Sequence, residues 1–164
     1  MNKIRYATLA SPVGRLLFVG DGEVVTHLHM EDPSKGPAVQ ESWMQDERAF
    51  GGPKEQLRSY FAGELTEFEI PLDASGTAFQ KRVWDALVKI PFGTTASYID
   101  VARSIGAPKA ARPVGAANAR NPIAIVVPCH RVIGASGKLT GYAGGLDRKE
   151  NLLNHEAQVL LKAL

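Results

Sequence analysis

Cysteine is nearly absent from this chain: Cys129 is the only one in 164 residues. An intrachain disulfide and a cysteine-built zinc cluster are both excluded by that count. Long apolar runs are missing too, and none approaches the roughly 20 residues that a membrane span needs. The opening segment, residues 1–7, has neither the charged head nor the long apolar centre of a secretion signal, and reads as the start of a strand. A soluble cytoplasmic protein with a reduced thiol is the expectation. There is no internal repeat and no low-complexity tract. What is abundant is apolar: 45% of the residues are hydrophobic, enough for a real core in one large domain or two small ones.

The net charge of +2 conceals an asymmetry. Residues 77–164 carry twelve Lys and Arg against five Asp and Glu, a surplus of seven positive charges. Residues 1–76 carry seven against twelve, a surplus of five negative ones. A basic half of this size suggests an anionic partner, nucleic acid first. A solvated basic surface explains the charge alone equally well.

The first half opens with strand signals. Ile4–Leu9 and Arg15–Val19 flank the turn Ser11-Pro12-Val13-Gly14, and Asp21-Gly22 marks a second hairpin before Val24–Met30. Residues 31–37 read as a loop. Leu57, Tyr60 and Phe61 predict a helix over Pro53–Ala62 that Gly63 ends. Thr66–Leu72 alternates apolar and acidic residues and predicts a half-exposed strand. Asp73–Gly76 is the expected boundary, giving domains 1–76 and 77–164.

The second half changes character. Thr77 and Gln80 have capping-box spacing ahead of an apolar stripe from Phe79 to Val88. Ser97–Ile105 predicts a shorter helix ended by Gly106, and Lys109–Ala119 a third. Two short helices joined by a tight turn form a helix-turn-helix pattern, whose second helix enters a DNA groove. Pro113 removes a helix N–H, so that helix is expected to start late or to kink. Ile123–Val127 predicts a buried strand. Val132-Ile133 and Leu139 would flank a glycine-rich hairpin or wing. Asp147 and Glu150 read as the acidic cap and third residue of a final helix.

The lone thiol sits in Pro128-Cys129-His130-Arg131. An isolated cysteine is usually a small buried filler. Here an imidazole and a cation follow it directly, which favours a nucleophile whose thiolate a basic neighbour stabilises.

The stretch Asn121–Gly134, with its Pro-Cys-His-Arg centre, resembles the active-site signature of the O6-alkylguanine-DNA alkyltransferases. The likeness continues through Gly137–Gly145 and Lys149 to Leu152-Leu153-Asn154-His155-Glu156. Upstream, Phe79–Leu87, Ile90–Gly93 and Ser97-Tyr98 are similar to family segments, while residues 1–76 match more loosely. The resemblance implies a ribonuclease-H-like α/β N-terminal domain followed by a mainly α winged helix-turn-helix domain that carries the cysteine.

It also implies a reaction and roles. An alkyl group passes from guanine O6, with O4-alkylthymine as a further candidate, to Cys129, irreversibly and once per molecule. His130 would take the thiol proton, directly or through a water, and Glu156 would orient the imidazole. Tyr98 would donate to the base, and Asn121 would be a hinge beside the cysteine. Val132, Tyr142 and Ala143 would contact the flipped base. Arg112 would fill the vacated stack, with Lys109 also on the DNA. The expected partner is double-stranded DNA containing O6-alkylguanine, met by a monomer with no membrane, cofactor or metal. His27 and His29 alternate along one strand and suit a sheet face better than a zinc site. Two other readings stay open on the residues alone: a DNA-binding regulator with little transfer activity, and a cysteine–histidine hydrolase.

Overall fold

One strand organises the first half of the chain. Leu16–Gly20 is apolar and buried along its whole length, as a central strand covered on both faces must be. A computed structural model describes residues 3–32, 39–142 and 145–164. It divides into two compact units, Met1–Ala74 and Ser75–Leu164.

In the first unit β1 (Arg5–Leu9), β2 (Leu16–Gly20), β3 (Val25–Met30) and β4 (Met44–Gln45) form a sheet in the order β3-β2-β1-β4. The hairpins β1–β2 and β2–β3 are antiparallel, and Arg5 lies opposite Gly20 in the first. β4 joins β1 in parallel. Two residues long, β4 carries no alternation pattern and escaped prediction. Helix α1 (Gly51–Phe61) buries Leu57 and Tyr60, and the rings of Phe18 and Phe50 stack at 6.0 Å. Gly63, at φ 79°, follows its end as expected. His27 and His29 lie on β3 with ring centroids 6.3 Å apart. The loop expected over residues 31–37 lies outside the described residues from position 33 onward.

The strand expected over Thr66–Leu72 does not form. Only Leu72 makes a bridge, to Val25. The Gln56 side chain takes both backbone groups of Glu69, and Pro71 has no N–H to give a ladder. Side-chain bonds replace the sheet there.

The second unit starts as its sequence predicts. Thr77 caps α2 (Ala78–Val88), with both bonds of the capping box present. β5 (Ala96–Ser97) precedes α3 (Tyr98–Ser104), which Ser97 and Asp100 cap in the same reciprocal way. Helix α4 spans Ala111–Ala119. It starts two residues after Lys109, and Pro113 is its third residue. The missing N–H therefore falls in the first turn, where no intrahelical acceptor exists. Val114 N–H bonds Ala110 O at 2.9 Å, so the late start is observed and the kink is not. Trp84 on α2 donates its indole N–H to Ala117 O of α4 at 2.9 Å.

Residues 123–127 are buried except the half-buried Ala124, yet form turns rather than a strand, and Ile125 stands at φ 71°. β6 (Val132–Ile133) pairs in parallel with β5. Leu139 forms no strand, and that loop is closed by Gly134 N–H to Lys138 O, with Gly137 N–H to Gly134 O inside it. Helix α5 (Leu146–Lys162) begins after Gly145, so Asp147 lies inside its first turn and is not the cap. Among the described residues no helix is long and apolar enough to cross a membrane.

Candidate active site

The turns over residues 123–127 are wound on a single amide. Asn121 donates from Nδ2 to Val127 O at 2.7 Å and accepts at Oδ1 from Ile123 N at 3.0 Å. Both ends of the apolar run are thereby tied to one side chain, which an extended strand could not satisfy. The run delivers Cys129 into a 3-10 turn, Cys129–Arg131. In a 3-10 turn, Cys129 and His130 are not bound to the opposite-face alternation of a strand.

His130 and Glu156 are both fully buried, and Nε2 lies 2.7 Å from Glu156 Oε2. The carboxylate accepts, so Nε2 carries the proton and Nδ1 presents its lone pair. Nδ1 is buried and makes no hydrogen bond to the protein. Glu156 also accepts from Arg131 Nε at 2.8 Å, Arg131 Nη2 at 3.0 Å and Gly93 N at 3.1 Å. It is therefore no exposed helix carboxylate. Arg131 continues to Ile90 O at 2.7 Å and lies 5.6 Å over the Phe92 ring.

Cys129 is 6% exposed. Burial pushes its thiol above the ordinary value, outweighing the Asn121 side chain, the Lys149 charge and the backbone N–H groups of Cys129 and His130, which all favour the thiolate. Burial likewise lowers His130, against the pull of Glu156 and with help from the charges of Arg131 and Lys149. The resting pair is a neutral thiol and a neutral imidazole. The groups that favour the anion are nonetheless in place before any charge develops, and need no rearrangement when it does.

Both shifts set the pH range of stability. His130 lies below its ordinary 6.5 in the folded chain. As pH falls past that value the unfolded chain takes a proton that the native site refuses, and stability drops. Cys129 lies above its ordinary 9.0. As pH rises past that value the unfolded chain releases a proton that the native site keeps, and stability drops again. The melting temperature is expected to peak between these limits. Calorimetry across the range checks it, and a Tm still rising on either side contradicts the assignment.

The remaining predicted residues differ in burial. Val132 is buried beside the turn. Tyr142 has a buried hydroxyl without a partner, and burial, then the nearby Cys129, raise its pKa well above 10.0. Tyr98 is half-buried at the start of α3, its hydroxyl 3.1 Å from Thr140 Oγ1. Arg112 and Lys109 are exposed, the first on α4 and the second just before it. Ala143 lies outside the described residues. Two functional candidates were given no specific task by the sequence reading. Arg131 is one: it was read as a cation near the thiol, and its spacing does not reveal that it pairs with Glu156. Lys149 is the other: it is fully buried and donates from Nζ to Val132 O at 2.5 Å and Thr140 O at 2.7 Å. Lys149, Leu152 and Glu156 share one face of α5 at intervals of three and four, which was the available signal.

Residues 4–74 match the ribonuclease-like domain of 6-O-methylguanine DNA methyltransferase, and residues 78–158 match its DNA-binding domain. A two-domain protein with a ribonuclease-like first half and a DNA-binding second half is thus defined. A methylated-DNA–protein-cysteine methyltransferase of Mycolicibacterium paratuberculosis is 60% identical over 150 residues, 92% of this chain and 90% of the relative. One from Methanosarcina acetivorans is 53% identical over 151 residues, 92% and 97% of the two chains. The crystal structure of Mycobacterium tuberculosis OGT in complex with DNA superposes with a TM-score of 0.88 at 55% identity, covering 94% of each chain. The chain belongs to the 6-O-methylguanine DNA methyltransferase family.

Proposed function

We propose that this protein repairs alkylated DNA by moving the alkyl group from guanine O6 to Cys129, with O4-alkylthymine as a further substrate. The relatives named above are methylated-DNA–protein-cysteine methyltransferases, and one related structure is a DNA complex. The observation that carries the reading is the arrangement at His130. Its Nε2 is fixed on Glu156, so the buried Nδ1 is the atom free to accept the thiol proton, directly or through a water. The sulfur then attacks the alkyl carbon. One S–C bond forms, the C–O6 bond breaks, and the electron pair leaves on the guanine. Tyr98 donates to the departing base. The thioether has no leaving path at neutral pH, so each molecule acts once.

DNA approaches the second unit. Helices α3 and α4 with their connecting turn act as a helix-turn-helix, and the loop closed at Gly134 and Lys138 takes the place of a wing. Arg112 enters the stack where the base has left, and Lys109 meets phosphate. Val132, Tyr142 and Ala143 line the flipped base, and Asn121 holds the turn that presents the sulfur. Domains 1–76 and 77–164 divide support from chemistry. The protein works as a monomer in the reducing cytoplasm, where a thiol persists, and needs no metal or cofactor.

Duplex DNA bearing O6-methylguanine tests the reading. Mass spectrometry should find one methylene added to the Cys129 peptide, with product levelling off at one equivalent of protein. Repeated turnover would reject the mechanism, and binding without transfer would favour a regulator.

A further inference from the structure

We propose that Arg131 is a positioning residue for this transfer: its guanidinium fixes the direction and the effective charge that Glu156 presents to His130. The inference rests on the reading of the site given above and extends it to a side chain that touches neither sulfur nor base there.

The geometry is a relay. Arg131 Nε and Nη2 take the two carboxylate oxygens of Glu156 at 2.8 and 3.0 Å. A two-pronged guanidinium–carboxylate contact fixes the plane of the carboxylate as well as its place. Oε2 is shared between Arg131 and His130. With that plane fixed, one lone-pair direction of Oε2 is aimed at Nε2, and the ring is held with Nδ1 outward from Glu156. Arg131 is itself anchored at its far side by Ile90 O at 2.7 Å and by the Phe92 ring, so the relay ends on the backbone between α2 and β5.

The charge acts in a second way. A lone buried carboxylate against an imidazole would favour the imidazolium at rest and block its use as a base. Arg131 offsets part of that pull. The charged groups acting on His130 are Glu156 and Lys149 from α5, with Arg131 from its own turn; the thiol of Cys129 lies in the same turn. Tyr142 faces Cys129 and Glu156 from the segment before α5. Arg131 is the cation among these that touches the carboxylate.

Two substitutions separate direction from charge. Arg131→Lys keeps the charge and loses the fork. Arg131→Met keeps much of the volume and loses the charge. Single-turnover methyl transfer from duplex O6-methylguanine is measured against pH for both, alongside the His130 imidazole titration by NMR. For Arg131→Lys the plateau rate should fall by about 10²-fold, the scale of a misplaced catalytic group, with the acid limb unmoved. For Arg131→Met the acid limb and the His130 titration should both move to higher pH. Removing a cation that opposes protonation raises the proton affinity of the ring. A side chain that served packing alone would lower the melting temperature and shift neither readout. Folded variants with wild-type limb, wild-type titration and a rate within about twofold of wild type overturn the proposal. Should Arg131→Met not fold, the rate of Arg131→Lys decides. Failure of the unsubstituted protein to transfer would defeat the functional reading instead, and the His130 titration in Arg131→Met would still support or overturn the electrostatic role of Arg131.

Discussion

Cys129→Ser is expected to abolish methyl transfer while leaving duplex affinity within about twofold, because removing the nucleophile from groups that act as a unit costs on the order of 10⁶ in rate. A serine hydroxyl is far less acidic than a thiol. It would have to give up its proton in a site whose burial already resists the thiolate. The oxygen is also smaller than sulfur, so the replacement creates no steric clash in the 3-10 turn. Affinity should survive because the exposed cations Arg112 and Lys109 lie on or beside α4 and are unaltered by the substitution, and phosphate contacts dominate binding to DNA. The checks are a transfer assay on O6-methylguanine duplex and a gel shift at matched salt. Transfer by the serine variant at more than a thousandth of the wild-type rate, with unchanged fold, would place the acceptor elsewhere.

Glu156→Gln should give the largest loss of stability of any isosteric change in the second unit. Glu156 is fully buried and accepts from Arg131, His130 and the Gly93 N–H. The amide keeps the volume but cancels the negative charge, and its NH₂ faces donors. Arg131 is then a buried cation without its anion. Breaking a buried pair from one side costs about 3–5 kcal/mol. For a unit of this size each kcal/mol moves the melting temperature by about 4–8 °C. A fall of at least about 12 °C follows. Glu150→Gln, exposed on the same helix, is the control and should change stability by less than about 0.5 kcal/mol. Calorimetry of the two variants decides. Equal melting temperatures would mean that the Arg131–Glu156–His130 cluster does not hold the unit together. Transfer should also slow in Glu156→Gln, since His130 loses the acid that stabilises its imidazolium.

Elements governed by local chemistry were legible in the chain. The first three strands, the capping box of α2 and the late start of α4 follow from alternation, side-chain caps and proline. Each is decided by residues within a few positions of one another. Elements governed by distant partners were not. The run 123–127 has the composition of a buried strand, and burial is what the composition reported. Its path was set by Asn121, whose amide bonds Ile123 and Val127 at once. Residues 66–72 alternate as a strand should, yet their backbone partners are Gln56 and Val25.

By itself the sequence determined which atoms carry the chemistry: a single sulfur, an imidazole next to it and an acid 26 positions away, in a half with surplus positive charge. Only the tertiary structure decided their protonation and direction. Burial holds the thiol and imidazole neutral against the neighbours that favour their ions, and a carboxylate pinned by Arg131 selects which ring nitrogen holds the proton. Both effects depend on the removal of water and on contacts between α5 and the 3-10 turn, and neither quantity is written in the order of the residues.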